Sequence, residues 1–516
     1  MRETFPLSTA PEGWRWSAHP DSTIVAREIA EKFDRIRSLP GCEVIKESFV
    51  RTVYRVPLGG DRPDLFIKHY RSRGLRDALK YLFVKNKARK EWEVAGRLSD
   101  AGINVPKMVA FGERRRGPLL KDACLVMEAI PDTRFIQAYF SPSNSRASRE
   151  RRDSALAAIA ELVAALHKRK IFHPDLHSGN FLFTTDSDGS PVLHLVDLHA
   201  VKFPRCFQRR HRVESLAVLM QTLLYFAWIP PRHVRRTWDR YAAASSLDAD
   251  ESAVLLTDAL VRMERIRRSK EKKRTMRCVG RSSRFVIERS GRQKIYRSRT
   301  ISREEVLNAL DEHRSRRPAG PDDTITSAGL RVRQWPASGW RRWLRGSTAR
   351  RAWIAANGLA VRGIPTPEAL AMVEEKGACR LITRHDPART PLCDVLPEVL
   401  DSPAEQKKLA RALADEVGKL HARGVHHADL SLGSFLVERR PEGWRALIAD
   451  VENIEILRAP TAEERLAALA GLNTLPEGIS PAARAAFVAQ YNAHVAKGID
   501  RQAMAKIEKI SMSLPH

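Results

Sequence analysis

Apolar residues recur at helical spacing along much of this chain. The clearest case is residues 88–106, ARKEWEVAGRLSDAGINVP, in which one apolar face is formed by Trp92, Ala95 and Leu98. Gly102 follows where a helix should end, and Pro106 lies beyond it. The pattern predicts a helix ending near Gly102, and residues 157–168 predict a second helix by the same periodicity.

Shorter apolar runs predict two strands and a buried helix. Residues 181–183 and the run ending at Asp197 are separated by the polar turn TDSDGS, which is typical of adjacent strands. Residues 215–229, SLAVLMQTLLYFAWI, come nearest to a membrane span, but the run is short and contains Gln221 and Thr222. It therefore predicts a core helix rather than a transmembrane helix.

Composition excludes several classes of protein. The chain has 516 residues, 43% of them hydrophobic, which is enough to build cores in about two to four domains. Its six cysteines are scattered without a C-x-x-C pair. This argues against a disulfide scaffold or a cysteine zinc site and fits a reducing compartment. The first residues have no basic-then-apolar signal pattern, so we expect neither secretion nor membrane spanning.

Positive charge is the strongest bias. The chain has 89 Lys and Arg against 61 Asp and Glu, a net charge of +28. Residues 261–300 alone hold 16 basic and 3 acidic residues, centred on RIRRSKEKKRTMR. A solvated helix face or linker, contact with anionic lipid or phosphate, and nucleic-acid binding all remain open for this stretch. Nucleic acid is the weakest of the three, because no nucleic-acid reading module accompanies the charge.

The chain contains an internal repeat. Residues 349–367, ARRAWIAANGLAVRGIPTP, align with residues 88–106 at a constant offset of 261. The identical pairs are Ala88/Ala349, Arg89/Arg350, Trp92/Trp353, Ala95/Ala356, Leu98/Leu359, Gly102/Gly363, Ile103/Ile364 and Pro106/Pro367.

A second pair of segments extends the repeat. HPDLHSGNFLF at 173–183 matches HADLSLGSFLV at 427–437, and the strand ending at Asp197 matches the one ending at Asp450. The offsets of 254 and 253 preserve order and spacing, so the repeat is a duplicated domain of about 250 residues. The predicted divisions are an N-terminal extension at 1–39, a first domain at 40–275 and a second domain at 276–516.

Three polar residues of the first copy carry candidate chemistry. Asp175, Asn180 and Asp197 flank the predicted strand pair. Two carboxylates and an amide brought together suit a hard, oxygen-liganded cation such as Mg²⁺. A carboxylate five residues before the amide can also orient a hydroxyl nucleophile.

These segments resemble a known superfamily. HPDLHSGNFLF and LVDLH are similar to the catalytic loop and metal-binding segment of protein-kinase-like enzymes. With LRDALKYLFVKNKARKEW and AGINVP around the long helix, the chain resembles the lipopolysaccharide core kinases of Gram-negative bacteria, which act on heptose or Kdo. The resemblance covers residues 40–260 and, more weakly, 280–510. It implies an α+β fold of two tandem protein-kinase-like bilobal domains, each with a small antiparallel-sheet lobe and a mainly helical large lobe.

The resemblance implies ATP and Mg²⁺ as cofactors and assigns the nucleotide-binding residues. Lys68 matches the lysine that binds the α- and β-phosphates, and Glu91 matches the helix glutamate that pairs with it, with Glu93 as the alternative. The phosphate-covering loop falls at residues 44–56 but contains no glycine, so phosphate contact would come from backbone donors between Ser48 and Arg51 and from the Arg51 charge.

It also assigns the residues of the reaction. Asp175 matches the catalytic base, and Asn180 and Asp197 match the metal ligands. Glu128, in CLVMEAI, begins the hinge whose backbone would hold adenine. His173 is expected to brace the catalytic loop by hydrogen bonding.

The second copy lacks part of this set. The aligned pairs are Lys68/Arg333, Glu91/Ala352, Asp175/Asp429, Asn180/Ser434 and Asp197/Asp450. A gap of four residues makes the Lys68/Arg333 match the least secure. Loss of the glutamate and the amide predicts a degenerate copy without activity, with residual nucleotide binding still open.

Each copy carries a basic and aromatic stretch before its long helix. The first is HYRSRGLRDALKYLFVKNKARKEW, and the second contains Trp335, Trp340, Trp343 and Trp353. Such residues suit the lipid headgroup layer, although packing inside the small lobe with solvated charge is an equal alternative.

We therefore predict an ATP- and Mg²⁺-dependent kinase for a sugar hydroxyl of the lipopolysaccharide inner core. Its expected partners are the core glycolipid and an anionic membrane surface, and its expected location is peripheral on the cytoplasmic side of the inner membrane. One alternative is a small-molecule phosphotransferase of the aminoglycoside or choline kinase type, which the charge of +28 disfavours for cationic acceptors. Another is a non-catalytic pseudokinase scaffold, which the complete residue set of the first copy disfavours.

Overall fold

The chain divides into two compact units, Met1–Arg267 and Arg268–His516. The computed structural model describes residues 5–7, 13–48, 50–60, 62–72, 74–140, 147–225, 229, 231–316, 323–336, 347–456, 458–474, 478–495 and 498–513. Trp340 and Trp343 of the second basic and aromatic stretch lie outside these residues. The division falls inside a helix that runs to Thr275, where the sequence predicts the domain boundary.

The first unit starts with a seven-stranded antiparallel sheet in the order β1-β2-β6-β7-β5-β4-β3. Its strands are β1 (Phe5–Leu7), β2 (Trp14–Ala18), β3 (Glu43–Glu47), β4 (Arg51–Val56), β5 (Leu65–Arg71), β6 (Met108–Arg116) and β7 (Leu119–Glu128). Helix α1 (Thr23–Lys32) packs on this sheet.

The residues before position 40 are part of this sheet layer. Strand β2 pairs with β6, and the alternation of WRWSA places Trp14 and Trp16 in the core with 5% and 2% exposure. The first unit is therefore built from residues that the sequence assigns to an extension, because two large indole rings alternate toward the buried face.

The rest of the first unit is mainly helical. Its helices are α2 (Leu75–Phe83), α3 (Lys87–Asp100), α4 (Ala147–Lys168), α5 (Arg209–Tyr225), α6 (Pro231–Ala244) and α7 (Ala249–Thr275). Strands β8 (Phe181–Thr185) and β9 (Pro191–Leu195) form the predicted hairpin. The apolar run from residue 215 is buried in α5 as far as residue 223. Across the described parts of the chain, no helix is long and apolar enough to cross a membrane.

The second unit has the same kinds of element. Its six-stranded antiparallel sheet has the order β10-β11-β14-β15-β13-β12. The strands of the unit are β10 (Phe285–Ser290), β11 (Gln293–Ser298), β12 (Asp323–Ile325), β13 (Leu330–Pro336), β14 (Ala369–Glu375), β15 (Ala378–Arg384), β16 (Thr390–Pro391), β17 (His426–His427), β18 (Phe435–Arg440), β19 (Gly443–Ile448) and β20 (Ile454–Glu455). The helices are α8 (Arg303–Ser315), α9 (Thr348–Val361), α10 (Leu392–Val399), α11 (Pro403–Ala422), α12 (Ala462–Leu472), α13 (Pro481–Asn492) and α14 (Arg501–Ser511). The architecture is thus mixed α and β with antiparallel sheets in both units.

A buried pair of side chains recurs in both units. His167 on α4 shares a hydrogen bond of 2.8 Å with the Tyr241 hydroxyl on α6, and His421 on α11 shares one of 2.9 Å with the Tyr491 hydroxyl on α13. The rings cross nearly at right angles in both pairs. The repeat therefore extends beyond the segments in which sequence identity reveals it.

The start of the long helix recurs as well. The Asn86 side chain accepts the first-turn hydrogen bond of α3 and also bonds Glu113. Ser347 caps α9 in the same way and bonds Glu374 at 3.2 Å. Ser347 and Glu374 each lie 261 positions after their counterparts, Asn86 and Glu113. Both side chains satisfy backbone donors that a helix start leaves unpaired.

Candidate active site

A lysine and a glutamate meet at the centre of the first unit. Strand β5 carries Lys68, α3 carries Glu91, and the Lys68 Nζ lies 2.5 Å from the Glu91 Oε1. Glu91 is only 1% exposed, and the Tyr70 hydroxyl donates to its other oxygen at 3.3 Å. Glu93 instead forms ion pairs with Lys85 and Arg89 at the surface. The geometry thus selects Glu91 over the alternative Glu93 as the partner of Lys68.

Tyr70 also contributes a hydrogen bond to Glu91, although no sequence motif predicts this contact. Burial raises the pKa of Tyr70, and the nearby Glu91 carboxylate raises it further, so its hydroxyl remains a donor. The signal was its position two residues after Lys68, which places both side chains on one face of β5.

The loop that follows α4 is folded around one asparagine. Asn180, 2% exposed, donates from Nδ2 to the Asp175 carbonyl oxygen at 2.7 Å. The backbone N–H of Asn180 donates to the His177 carbonyl, and that of Val196 donates to the Asn180 carbonyl, both at 2.9 Å. Asp175 itself is exposed. The amide nitrogen of Asn180 is thus used to close the loop, and its amide oxygen takes no part in that bond.

Helix α5 holds this loop from beneath. Ser215 Oγ donates to the His173 carbonyl at 3.2 Å, and Thr222 Oγ1 accepts from the Ser178 N–H at 2.9 Å. No sequence motif predicts these supports, and the available signal is two hydroxyl groups within an apolar run. Without Thr222 the buried Ser178 N–H would lose its partner, at a cost of about 1–3 kcal/mol.

Asp197 lies at the end of β9 in a left-handed backbone conformation, φ 60° and ψ 54°. Non-glycine residues rarely adopt it, and such strain concentrates at functional sites. Burial alone would raise the pKa of Asp197, but the His199 ring at 2.6 Å and the charges of Lys68 and Arg51 hold the pKa well below its usual value. Asp197 is therefore held as an anion, in part by the charge of Lys68.

His173 differs from its expected role. The side chain is 1% exposed, and within the described residues neither ring nitrogen has a hydrogen-bond partner. Burial lowers the pKa of His173 to about 4, so the ring is neutral near pH 7. The expected bracing is found in the second unit, where His427 Nε2 lies 3.0 Å from the Asp450 carbonyl and Nδ1 accepts the Asp429 N–H at 3.3 Å.

The predicted phosphate loop is the turn between β3 and β4. Ser48 closes it, since its N–H and hydroxyl both donate to the Arg51 carbonyl at 2.9 Å and its Oγ accepts the Arg51 N–H at 3.1 Å. The backbone donors of these two residues are therefore used within the turn. Arg51 contributes charge to the site through its effect on Asp197.

Glu128 lies at the end of β7, next to the expected hinge. Its N–H donates to the Lys107 carbonyl at 2.9 Å, and the next N–H, of Ala129, donates to the Asp64 carbonyl at 2.7 Å. The Glu128 carboxylate pairs with Lys107 at 2.7 Å. An adenine would thus have to use carbonyl groups here or donors beyond Ala129.

The residues present fit a magnesium ion by the chemistry of their donors. In the described portion of the chain, no three His, Cys, Asp or Glu side chains cluster as a metal site. The first unit instead offers the Asp197 carboxylate and the amide oxygen of Asn180, which are the hard oxygen donors that Mg²⁺ takes together with water and phosphate.

The corresponding place in the second unit is organised differently. In the first unit, Glu113 pairs with Ala123 across the sheet, and Lys68 pairs with Leu125, two residues further along the same strand. In the second unit, Glu374 pairs with Cys379, and Arg333 pairs with Leu381, again two residues further along. Strand register therefore supports the Lys68/Arg333 correspondence across the four-residue gap. Arg333 Nη1 binds both oxygens of Glu452, at 2.8 and 2.9 Å.

The loop of the second unit keeps its shape but changes its donors. Ser434 Oγ donates to the Asp429 carbonyl at 3.2 Å and accepts the Ser431 N–H at 3.2 Å. Asn453 Nδ2 donates to the Asp450 carboxylate at 2.9 Å. The cavity beside Arg333 and Glu452 measures only about 30 Å³.

The first unit thus combines a lysine–glutamate ion pair, a loop that exposes Asp175 and an anionic Asp197, which are groups suited to an enzyme that handles phosphate groups. Residues 54–244 match the model of the lipopolysaccharide kinase (Kdo/WaaP) family. Over these residues, which lie within its first unit, the chain is similar to this family of kinases.

Individual relatives agree with the family match. The lipopolysaccharide core heptose(I) kinase WaaP of Pseudomonas aeruginosa is 28% identical over 197 residues, covering 37% of this chain and 72% of the relative. The 3-deoxy-D-manno-octulosonic acid kinase of Vibrio cholerae is 29% identical over 147 residues, covering 27% of this chain and 56% of the relative. A solved structure described as WaaP in complex with acyl carrier protein is 24% identical with a TM-score of 0.35, covering 45% of this chain and 92% of that one.

Proposed function

We propose that the first unit transfers the γ-phosphoryl group of ATP to a sugar hydroxyl, of heptose or Kdo, in the lipopolysaccharide inner core. The observation that carries the proposal is the Lys68–Glu91 pair at 2.5 Å, together with Asp197 held anionic by Lys68 and Arg51. The names of the relatives, heptose(I) kinase and 3-deoxy-D-manno-octulosonic acid kinase, supply the acceptor class.

Each residue then has a stated task. Glu91 holds Lys68 in place so that its ammonium group contacts the nucleotide phosphates. Asp175, exposed at the head of the loop, orients the sugar hydroxyl and accepts its proton. The sugar oxygen forms the new bond to the γ-phosphorus as the bond to the ADP oxygen breaks. Catalysis of this kind consists of positioning and charge stabilisation.

Asn180 and Asp197 would hold Mg²⁺. With the ion bound, these two residues would hold a positive charge that offsets the charge of the nucleotide phosphates. The chain's own contribution is to keep the donors available: Asn180 closes the loop through its nitrogen, and the low pKa of Asp197 keeps its carboxylate charged.

We propose that the chain consists of two tandem protein-kinase-like bilobal domains and that the second is degenerate. The recurring His–Tyr pairs, helix caps and loop hydrogen bonds support the duplication. The buried Ala352 at the position of Glu91 and the Arg333–Glu452 ion pair support inactivity without nucleotide binding.

We further propose that the enzyme works at the cytoplasmic surface of the inner membrane, where this acceptor is embedded. The net charge of +28 supports association with anionic lipid. The experiment is cell fractionation: the protein should sediment with inner-membrane vesicles and be released by salt. Retention in the soluble fraction at low salt would contradict this location.

The function is tested by transfer of labelled phosphate from ATP with Mg²⁺ to purified lipopolysaccharide core. Asp175→Asn should lower kcat by about 10²–10⁴-fold, whereas Asp429→Asn, its counterpart in the second unit, should leave kcat unchanged. Transfer by the wild type to an aminoglycoside or choline but not to the core would establish the alternative acceptor class. Equal losses in both variants would contradict a degenerate second unit.

A further inference from the structure

Helix α2 presents an exposed apolar face. Leu79, Leu82, Phe83 and the following Val84 are 51%, 41%, 90% and 53% exposed. Positions 79, 82 and 83 lie on one side of the helix, because residues three and four apart are neighbours on a helix surface. Of the fourteen large hydrophobic side chains that are exposed in the described parts of the chain, four fall within these six positions.

The grouping sets this face apart from ordinary surface residues. Single exposed apolar side chains are common, whereas a contiguous group marks a contact surface. The opposite side of the helix is anchored, since Tyr81 packs against the main core of the first unit. The exposed face therefore belongs to a helix that is held in place.

Cations surround the apolar face. Lys80 lies over the Tyr81 ring at 5.6 Å, Lys85 pairs with Glu93 at 2.6 Å, and Lys87 is exposed. Apolar side chains bordered by lysines are the composition of a helix that lies in the interface of an anionic bilayer. In such a helix the apolar residues enter the acyl boundary, and the ammonium groups meet lipid phosphates.

The position of α2 relates this face to the active site. The helix follows β5, which carries Lys68, and precedes α3, which carries Glu91. We propose that α2 is an interfacial membrane-binding helix whose residues Leu79, Leu82 and Phe83 insert into an anionic bilayer and hold the catalytic cleft at its surface. The physiological purpose, access to a membrane-embedded acceptor, rests on the proposed function, whereas the lipid contact does not.

The test measures binding to vesicles without nucleotide or acceptor. Wild type should bind vesicles containing phosphatidylglycerol and bind zwitterionic phosphatidylcholine vesicles more weakly. The double variant Leu82→Asp with Phe83→Asp should lose at least tenfold in partitioning. Ile24→Asp is the matched control, because Ile24 is 84% exposed on α1 of the same unit, and it should bind as wild type. Lys87→Glu should weaken binding to the anionic vesicles by about fivefold or more.

Two further measurements complete the test: the depth of α2 in the bilayer and the activity of the double variant. A tryptophan introduced by Phe83→Trp should be quenched by brominated lipid, whereas Ile24→Trp should not. In the double variant, the KM for vesicle-embedded core should rise, while kcat on a deacylated, soluble core saccharide should stay unchanged. Wild-type binding by the double variant, equal loss in the Ile24→Asp control, or absence of vesicle binding by the wild type would overturn the inference. Normal vesicle binding without phosphate transfer to any core acceptor would instead refute the proposed function and leave the helix assignment standing.

Discussion

The cations at matching strand positions of the two units, Lys68 and Arg333, form ion pairs with carboxylates from different elements. In the first, Lys68 is bound by Glu91 from α3. In the second, the helix offers only the buried Ala352, and Arg333 binds Glu452, two residues after Asp450. In the first arrangement the carboxylate partner of the cation comes from the long helix, whereas in the second it comes from the segment that carries Asp450. The difference shows that a cation at the same strand position can be neutralised by either of two elements, the helix or the segment after the hairpin.

The loop that contains Asn180 in the first unit and Ser434 in the second also differs between the units in the side chain that closes it. Asn180 and Ser434 both donate to the carbonyl five residues earlier, so the fold of the loop survives the replacement. An amide has a separate oxygen for a cation, but a serine must use its single oxygen for donating and for accepting. Ser434 Oγ is already engaged in both ways. Both side chains therefore close the loop, but the Asn180 amide has a second polar atom, its oxygen, that this hydrogen bond does not use.

Replacing the two cations should break this comparison most strongly. Lys68→Ala should lower kcat/KM by about 10³-fold, which corresponds to about 4 kcal/mol, because the phosphates lose their positioned charge. Arg333→Ala should leave kcat/KM unchanged. Steady-state kinetics with ATP and core acceptor measure both.

Nucleotide titration provides the control for each variant. Wild type should bind one nucleotide per chain by calorimetry, Lys68→Ala should weaken that binding, and Arg333→Ala should keep it. Two binding events in the wild type, or loss of binding in Arg333→Ala, would show that the ion pair of the second unit opens to nucleotide.

The helix pair that carries the His–Tyr contact offers a second comparison. Three residues before the tyrosine stands Trp238 in α6 and Val488 in α13. The space beside Trp238 is a cavity of about 20 Å³, and the space beside Val488 is one of about 260 Å³. Trp238→Val should therefore lower the free energy of unfolding of the first unit by about 3 kcal/mol. Denaturant unfolding followed by hydrogen exchange would measure this, and a loss below 1 kcal/mol would mean that neighbours collapse into the space.

Short motifs allow parts of the candidate site to be predicted from the sequence. Local spacing predicts the roles of Asp175, Asn180 and Asp197 and the duplicated domain, and these stay predictions. The contact between Lys68 and Glu91, which the resemblance implies, is present in the structure. Contacts that join distant segments could not be read in this way. The Arg333–Glu452 pair spans 119 positions, and the link from Ser215 to the His173 carbonyl depends on packing of α5 beneath the loop.

Strand β2 shows a different reason why a prediction from sequence can differ from the structure. The prediction treated residues before position 40 as an extension because the resemblance begins there. The structure uses Trp14 and Trp16 to widen the sheet beyond β6. The available signal is the pair of tryptophans two positions apart, because alternate residues of a strand face the same side of the sheet.

The two buried histidines should make both units sensitive to acid in the same way. Burial lowers the pKa of His167 and of His421 to about 3, whereas an unfolded histidine titrates near 6.5. Between these values the unfolded chain binds more protons, so stability falls as pH drops from about 6.5 towards 3. Each histidine should contribute a slope of up to about 1.4 kcal/mol per pH unit.

Substitution separates the two contributions. His167→Gln and His421→Gln should each flatten the pH dependence of unfolding between pH 7 and 5 for the unit that carries the change. Hydrogen exchange of α4 and α11 at the two pH values reports on each unit separately. A flattening in one unit alone would contradict the equivalence of the two His–Tyr pairs.

The smallest expected effect comes from making the second unit resemble the first. Val488→Trp places an indole where α6 carries Trp238, next to a space of about 260 Å³ lined mainly by Leu, Ile and other apolar residues. Burial of the added apolar surface should raise the stability of the second unit by about 1 kcal/mol, since part of the gain is lost to fixing the new side chain. Val488→Asn is the control, because it changes polarity without filling the space, and it should destabilise the unit. Lower stability in Val488→Trp, measured by the same hydrogen-exchange experiment, would show that the space is shaped differently from the site of Trp238, and that the helix pairs of the two units have diverged in packing while retaining their histidine and tyrosine.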